Sequence, residues 1–332
     1  MNNLITDILT VFPVVLPTIL AIAFFTLYER KVLASMQLRR GPNVIGIYGV
    51  LQAFADGFKL LGKETVIPLS ANYILFIMSS VFMFILSLVV LAVIPFSMYI
   101  VIADVNLGFL FIFAISSLSV YSIIISGWSS NSKYSFLGSL RSSAQMISYE
   151  ISIGLIIIPP LLCADSLNIS CISFMQKDFP FFLPCPVSFI LFIISVLAET
   201  NRLPFDLPEA ESELVSGYNV EYSSVMFVFF FLAEYLSIIV MSTLLILLFL
   251  GSYYLPFNIT LFGWIPEWFV FSVKLIFFLF LIIWIRATLP RYKYNQLMIL
   301  GWKVFLPLSI GLIFWSLGLL TLFGAYSEII LN

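Results

Sequence analysis

The stretch VMFVFFFLAEYLSIIVMSTLLILLFL, from Val225 to Leu250, decides the fold class of this chain. It contains a single charged side chain, Glu234, and as a helix it is long enough to cross the roughly 30 Å hydrocarbon core of a bilayer. A helix is expected because lipid offers no hydrogen-bond partners to an open backbone. The stretch therefore predicts a transmembrane helix.

Similar apolar segments recur along the chain and predict an all-α, polytopic membrane protein. The hydrophobic fraction is 62% and the mean hydropathy is +1.13, whereas soluble domains contain roughly 45–50% apolar residues. We predict about eight spans in a single transmembrane domain, residues 1–332, and the fifth is shorter than the ~20 residues that a span needs. The predicted spans are residues 11–28, 73–95, 107–125, 146–163, 186–198, 225–250, 269–285 and 305–323.

The basic residues lie almost entirely on one side of the predicted membrane. Of the 15 Lys and Arg residues, all except Lys177 and Lys274 fall in the connections after the first, third, fifth and seventh spans. Inner loops of membrane proteins carry such an excess of basic residues. Both termini are therefore predicted to be outside, and the inner connections are residues 29–72, 126–145, 199–224 and 286–304.

The first inner connection contains a predicted amphipathic helix from Val50 to Lys63. Polar residues recur there at helical spacing, opposite an apolar face. Such a helix lies in the membrane interface or forms a wall of an interfacial cavity, in which case Asp56 points inward.

Two arginines mark a turn before this helix. Arg39 and Arg40 precede Gly41-Pro42-Asn43, a sequence that is typical of turns. The arginines satisfy the positive-inside rule, bind anionic lipid, or pair with acids of a partner chain, and the sequence leaves these three roles open.

The densest group of acids follows the fifth span. The stretch ETNRLPFDLPEAESELVSGYNVE, from Glu199 to Glu221, holds six of the chain's 17 acidic residues. Its only basic residue, Arg202, is expected to pair with Asp206 or with a residue of the first connection. Carboxylates beside a membrane relay protons, order water or pair with cations, and a solvated acidic turn is the alternative.

Two further carboxylates lie within predicted spans. Glu150 is near the start of the fourth span, and Glu234 is about 15 Å into the sixth. A charge at that depth costs at least ~2.5–3.5 kcal/mol, so burial favours the neutral form. Glu234 is either a protonated structural residue or part of a proton or water path that Glu150, Glu199 and Glu213 continue toward the inner face.

The sequence does not support several other function classes. There is no histidine, and Cys163, Cys171 and Cys185 lack the spacing of a metal or iron–sulfur site. The chain also lacks a glycine motif for nucleotides and a basic tail for nucleic acid. We therefore expect no metal, no redox centre and no catalytic side chain.

Four long motifs carry a family resemblance, and all lie in or beside the predicted inner connections. They are RRGPNVIGIYGVLQAFADGFKLLGKE (39–64), GWSSNSKYSFLGSLRSSAQMISYEISIGL (127–155), ETNRLPFDLPEAESELVSGYNVEYSS (199–224) and RATLPRYKYNQLMILGWKVFLPLS (286–309). Together they resemble the subunit 1 family of respiratory complex I, the proton-pumping NADH–quinone oxidoreductase. Membrane anchors of related hydrogenases share parts of this pattern.

The resemblance implies a role in quinone access and proton coupling. Residues implied at the quinone tunnel, or at the junction with the peripheral arm, are Glu29, Arg30, Arg39, Arg40, Asp56, Arg202, Phe205, Asp206, Glu209, Glu211, Arg286 and Arg291. Residues implied in the proton path are Glu150, Glu199, Glu213, Glu221 and Glu234.

The resemblance also implies where the other components lie. Ubiquinone would be the substrate, while NADH, FMN and iron–sulfur clusters would be held by partner subunits. The implied partners are the other membrane-arm subunits, the peripheral quinone-site subunits and membrane lipids. The implied location is the mitochondrial inner membrane, with a bacterial plasma membrane as the alternative.

Two other classes of protein remain for comparison. A proton-coupled secondary transporter would also bury carboxylates, but it should show inverted repeats and broken helices, and no clear repeat relates the halves of this chain. A passive assembly anchor would explain the hydrophobicity and leave the intramembrane acids without a role.

Overall fold

The fold is a bundle of apolar helices, seen here in a computed structural model that describes residues 2–97, 100–177, 179–207, 216–255 and 266–322. The described helices are α1 (Asn2–Met36), α2 (Gln52–Leu61), α3 (Tyr73–Val90), α4 (Gly108–Ser129), α5 (Lys133–Ala164), α6 (Ile169–Met175), α7 (Pro186–Glu199), α8 (Ser224–Phe249), α9 (Glu267–Thr288), α10 (Tyr294–Ile299) and α11 (Leu306–Leu322). A π-helical turn, Leu300–Phe305, joins α10 to α11.

Seven of the described helical segments are long and apolar enough to cross a membrane. They are Val11–Met36, Tyr73–Val93, Gly108–Ser129, Lys133–Ala164, Ser224–Phe249, Glu267–Thr288 and Tyr294–Leu322. The predicted fifth span corresponds to α7, an apolar helix of 14 residues. The prediction of an all-α polytopic membrane protein is confirmed.

Several helices extend beyond the spans that hydropathy predicts. α1 continues from residue 28 to Met36, and α5 begins at Lys133, 13 positions before the predicted span at residue 146. The added part of α5 is rich in serine, and Ser135, Ser139 and Ser142 are fully buried. Hydropathy reports contact with lipid, whereas these polar turns are buried against protein. Parts of the predicted inner connections are therefore helical.

Helix α8 lies at the centre of the bundle. In its most apolar stretch, 72% of the residues are buried, against 17–50% for the other candidate spans. It packs against α1, α3, α7 and α9. A helix enclosed on all sides by protein is expected to be apolar around its whole circumference. Any polar group on α8, such as Glu234, therefore faces protein or an internal cavity.

A glycine contact sets the position of the chain that leads into α8. A Cβ atom on Gly138 of α5 would lie 2.7 Å from the Cα atom of Gly217. Gly217 begins a short 3₁₀ turn, Gly217–Asn219, and has a φ of 61°, which favours glycine. The close approach fixes Tyr218, the next residue, against the bundle.

The predicted amphipathic helix is α2, and it lies across the inner ends of α1 and α8. The Ser224 hydroxyl, at the start of α8, donates to the carbonyl oxygens of Leu60 at 3.0 Å and Lys63 at 2.6 Å. The apolar side of α2 remains exposed at Phe58 and Leu61. This arrangement is typical of a helix in the membrane interface.

Candidate functional site

Four side chains from distant parts of the chain meet at the inner end of the bundle, and we call them the junction cluster: Glu29, Arg202, Tyr235 and Arg286. The Tyr235 hydroxyl donates to Glu29 Oε2 at 2.7 Å. The Arg286 guanidinium donates to Glu29 Oε1, and Arg202 Nη1 lies 3.5 Å from the same oxygen. The Arg202 guanidinium carbon also lies 4.5 Å from the centre of the Tyr235 ring.

The junction cluster buries more positive than negative charge. Glu29 is 5% exposed and Arg202 is 7% exposed, so water screens their interaction poorly. A buried ion pair is tolerated when further hydrogen bonds satisfy its remaining atoms, as Tyr235 does for Glu29. With one carboxylate between two arginines, the cluster can stabilise added negative charge nearby.

A second contact joins the loop after α7 to the loop after α9. Arg291 Nη2 lies 3.3 Å from Asp206 Oδ2, and the rings of Phe205 and Tyr292 stack with centroids 5.5 Å apart. Gln145 of α5 anchors this loop, because its side-chain amide donates to the Phe205 carbonyl oxygen at 3.0 Å. Two of the predicted inner connections are thereby held together as one surface.

The remaining basic residues of the first connection lie at the surface. Arg30 Nη1 is 2.5 Å from Asp56 Oδ2, which ties α1 to α2, and both side chains are at least one-third exposed. Arg39 and Arg40 line an open depression of about 410 Å³ together with Lys31. Asp56 therefore pairs at the protein surface beside α1.

A cavity of about 80 Å³ lies among α3, α4, α5 and α8, and we call it the acid cavity. Glu199, at the end of α7, and Glu234, in α8, both line it. Its volume has room for several water molecules. Two carboxylates that the sequence separates by 35 positions thus share one internal space.

Hydroxyl groups extend the acid cavity on two sides. Ser116 of α4 lines the cavity and donates to Glu150 Oε1 at 3.2 Å. Tyr218 also lines it, and its hydroxyl donates to Glu234 Oε1. Hydroxyl groups both donate and accept hydrogen bonds, so they can connect carboxyl groups that do not touch.

Comparisons with known proteins agree with these features. A family model described as NADH dehydrogenase matches residues 9–317 of the chain. The chain belongs to the NADH dehydrogenase family. It is 53% identical over 321 residues to the NADH-ubiquinone oxidoreductase chain 1 of Chondrus crispus, covering 97% of this chain and 98% of that one.

Bacterial relatives are similarly close. The chain is 58% identical over 305 residues to a subunit of the NADH-quinone oxidoreductase of Rickettsia prowazekii (strain Madrid E), covering 91% of this chain and 90% of that one. It is 54% identical over 326 residues to the subunit of the same name from Paramagnetospirillum magneticum (strain ATCC 700264 / AMB-1), covering 97% and 94%.

These relatives confirm the resemblance to subunit 1 of complex I. The chain is a membrane subunit of an NADH–quinone oxidoreductase and has its place in the electron-transport chain. It is a multi-pass protein of a mitochondrial inner membrane or of a bacterial plasma membrane. Membership of this family disfavours the secondary transporter.

The structure of this NADH dehydrogenase subunit brings together only some of the predicted acids. Glu150, Glu199 and Glu234 meet at or beside the acid cavity. Glu221 is half-buried and is not among the residues that line this cavity. Glu209, Glu211 and Glu213 lie outside the described residues.

Sequence reasoning missed three side chains at these sites: Ser116, Tyr218 and Tyr235. Each is a hydroxyl within or beside an apolar run and gives no distinct local pattern. The adjacent pair Glu234-Tyr235 was a usable signal, because a second polar group beside a buried carboxylate often serves another partner. The two open partners proposed for Arg202 are also resolved, since it lies beside Glu29 at the start of the first connection.

A tyrosine outside the spans closes the inner side of this region. Tyr222 is buried against Phe76, with stacked rings 4.0 Å apart, and its hydroxyl lies 3.0 Å from Ser79 Oγ. Burial raises the pKa of Tyr222, and hydrogen bonds with Ser129 and Ser79 oppose that shift. The hydroxyl therefore stays protonated at physiological pH.

Proposed function

We propose that this subunit forms part of the quinone-access tunnel and links quinone reduction to proton translocation. Two neighbouring residues of α8 carry the proposal. Glu234 lines the acid cavity, while the Tyr235 hydroxyl donates to Glu29 in the junction cluster. Successive residues of a helix point about 100° apart, so one rigid helix contacts both sites. A change of charge at one site is thereby transmitted a short distance to the other.

The junction cluster supports the tunnel part of this proposal. Its two arginines and one carboxylate leave excess positive charge in a poorly screened place, which suits a quinone that gains electrons. Phe205 and Tyr292 add an apolar stacked surface beside it. In this proposal the tunnel and the junction with the peripheral arm also include Arg30, Arg39, Arg40, Asp56, Asp206, Glu209, Glu211 and Arg291.

The acid cavity supports the proton path. Protons move along chains of groups that both donate and accept hydrogen bonds, which protonated carboxyl groups, hydroxyls and water all do. Glu150, Glu199 and Glu234 supply the carboxyl groups, and Ser116 and Tyr218 supply hydroxyls. In this proposal Glu213 and Glu221 continue the path toward the inner face.

Partner subunits supply the electrons in this scheme. NADH, FMN and iron–sulfur clusters are assigned to the peripheral subunits, and ubiquinone is the substrate that enters from the membrane. The other membrane-arm subunits receive the coupling, and lipids surround the exposed apolar helices. The relatives' names support this division, since they combine NADH and quinone in one enzyme.

Glu234→Gln tests the proton path in the assembled enzyme. The amide keeps the shape of the side chain but cannot ionise. We expect assembly to be retained and quinone-linked proton pumping to fall by about tenfold or more, since a positioned proton-transfer group contributes roughly 10²–10⁴-fold. The measurements are proton uptake in proteoliposomes and the ratio of quinone reductase to ferricyanide reductase activity.

The matched control is Glu267→Gln, which neutralises a carboxylate in the first turn of α9, away from the acid cavity. Its pumping and its activity ratio should equal those of the wild type. Normal pumping and a normal ratio in the Glu234 variant would instead favour a passive anchor with a protonated structural glutamate.

A further inference from the structure

The lining of the acid cavity divides into two chemically different ends. One end presents hydrogen-bond acceptors from Glu199, Asn201 and Glu234. The other end is an apolar wall. The wall is formed by Met83, Leu86, Val90, Ile112, Val240 and Met241. Such a pocket suits a ligand with a polar head and a short apolar body.

Two acceptors at the polar end have no hydrogen-bond partner among the described residues. They are Glu199 Oε2 and Asn201 Oδ1, both buried. Glu199 as a whole is 6% exposed. A buried acceptor without a donor is costly, and most buried polar groups in proteins are satisfied. The cavity therefore lacks hydrogen-bond donors and positive charge.

We propose that the acid cavity binds a short alkylammonium ion. An ammonium head carries three donors and a positive charge, which match Glu199, Asn201 and Glu234. The alkyl chain covers the apolar wall, and a cavity of about 80 Å³ limits it to a few carbons. The inference goes beyond the proposed function, because it depends on the shape and acceptors of the cavity and not on proton transfer through it.

Other occupants satisfy only one end of the cavity. A bare alkali cation would pair with the carboxylates and leave Leu86 and Met241 without an apolar partner. A small alcohol would fill the apolar end, but it has one donor and no charge. Water alone is the remaining occupant, and it would show no preference for chain length.

The first test uses the wild-type assembled complex in lipid nanodiscs, with propylammonium as the probe. Saturation-transfer NMR should detect binding on the order of millimolar, as expected for so few non-hydrogen atoms. Propan-1-ol and hexylammonium should bind about tenfold or more weakly, the first for lack of charge and the second for size. Equal binding of propan-1-ol would show that the carboxylates are irrelevant, and equal binding of hexylammonium would indicate partition into lipid. Either result overturns the proposal.

Variants locate the probe in the cavity. Glu199→Gln should weaken propylammonium binding about tenfold or more, and Met241→Phe should weaken it by filling the apolar end. Met78→Phe is the matched control, because Met78 is exposed on the outer surface of α3. Unchanged binding in both cavity variants would refute the site. If a cavity variant fails to assemble, the chain-length series on the wild type still decides.

The outcome is separable from that of the proton path. Loss of pumping in Glu234→Gln without any propylammonium binding to the wild type would refute this inference alone. Binding to the wild type together with normal pumping in that variant would refute the proton path alone.

Discussion

At Glu29 a single carboxylate joins residues from three other parts of the chain. It accepts hydrogen bonds from Tyr235 and Arg286 and lies beside Arg202. Removing one partner of a buried charge costs more than the pair itself contributes, because the remaining charge is then poorly satisfied. The arginines are therefore both structural and electrostatic parts of the junction cluster.

Arg286→Ala should weaken this cluster. We expect the variant to lose about 1.5–3 kcal/mol of stability, the usual value of a hydrogen bond to a charged group, and to reduce quinone more slowly. Ferricyanide reduction should stay near normal, since the variant does not affect partner subunits that hold the redox centres in our proposal. The measurement is the ratio of the two activities in purified complex.

Lys303→Ala is the control for charge, because Lys303 is an exposed basic residue on the same face. Arg286→Lys should restore only part of the activity, since an ammonium cannot reproduce the planar guanidinium. A wild-type activity ratio in Arg286→Ala would contradict a role in quinone reduction.

Tyr218 allows the hydrogen bond to Glu234 to be tested without changing the carboxylate. Tyr218→Phe removes the hydroxyl and keeps the ring, which packs edge-on against Phe230 at 5.5 Å. We expect a loss of roughly 0.5–1.5 kcal/mol in stability and a clear fall in pumping. Proton uptake measured beside thermal unfolding separates these two effects.

The control for this change is Tyr121→Phe, since Tyr121 is exposed on α4. It should leave both quantities unchanged. Full pumping in Tyr218→Phe would place Tyr218 outside the proton path.

At the scale of elements, the packing of α5 sets the position of Tyr218. The Gly138 contact with Gly217 involves backbone atoms on the partner side, so it cannot relax by a change of rotamer. The neighbouring contact between α4 and α5 is similarly tight, because a Cβ on Gly127 would meet the Ser139 side chain. Small residues thus let α5 approach its neighbours closely, as in other membrane bundles.

Gly138→Ala should therefore displace the 3₁₀ turn that carries Tyr218. We expect a loss of about 1–3 kcal/mol from overpacking, seen as a lower unfolding midpoint, together with reduced pumping. Gly154→Ala on the same helix is the matched control, because a Cβ there meets nothing within 4 Å. Equal midpoints for the two variants would show that the approach of α5 to Gly217 is not tight.

At the scale of the whole molecule, the basic asymmetry makes a prediction about sidedness. The first connection should face the inner side, and the connection between α5 and α7 should face outward. Cys171 is exposed on α6 in that outer connection, so it provides a native label. Asn43 is exposed in the first connection.

A membrane-impermeant thiol reagent should therefore label wild-type Cys171 from the outer side of intact membranes. Asn43→Cys in a Cys171→Ser background should react only after the inner side is opened. Mass spectrometry of the labelled chain gives the readout. Outer labelling at position 43 would reverse the orientation.

The sequence determined the class of the molecule because hydropathy is a local property. Runs such as residues 225–250 must be helical and buried in lipid or protein, whatever surrounds them. The same rule made Glu150 and Glu234 conspicuous, since a carboxyl group in an apolar run costs free energy. Long motifs added the family. These inferences need no knowledge of which helices touch.

Only the tertiary structure decided which polar groups meet. Helix α8 is apolar around its whole circumference, so no stripe in its sequence shows that Glu234 faces a cavity while Tyr235 faces Glu29. The partner of Arg202 was equally undetermined, because Asp206 is near in sequence whereas Glu29 is near in space. Hydropathy fixes the depth of a residue in the membrane, but the rotation of each helix about its axis follows from packing against its neighbours.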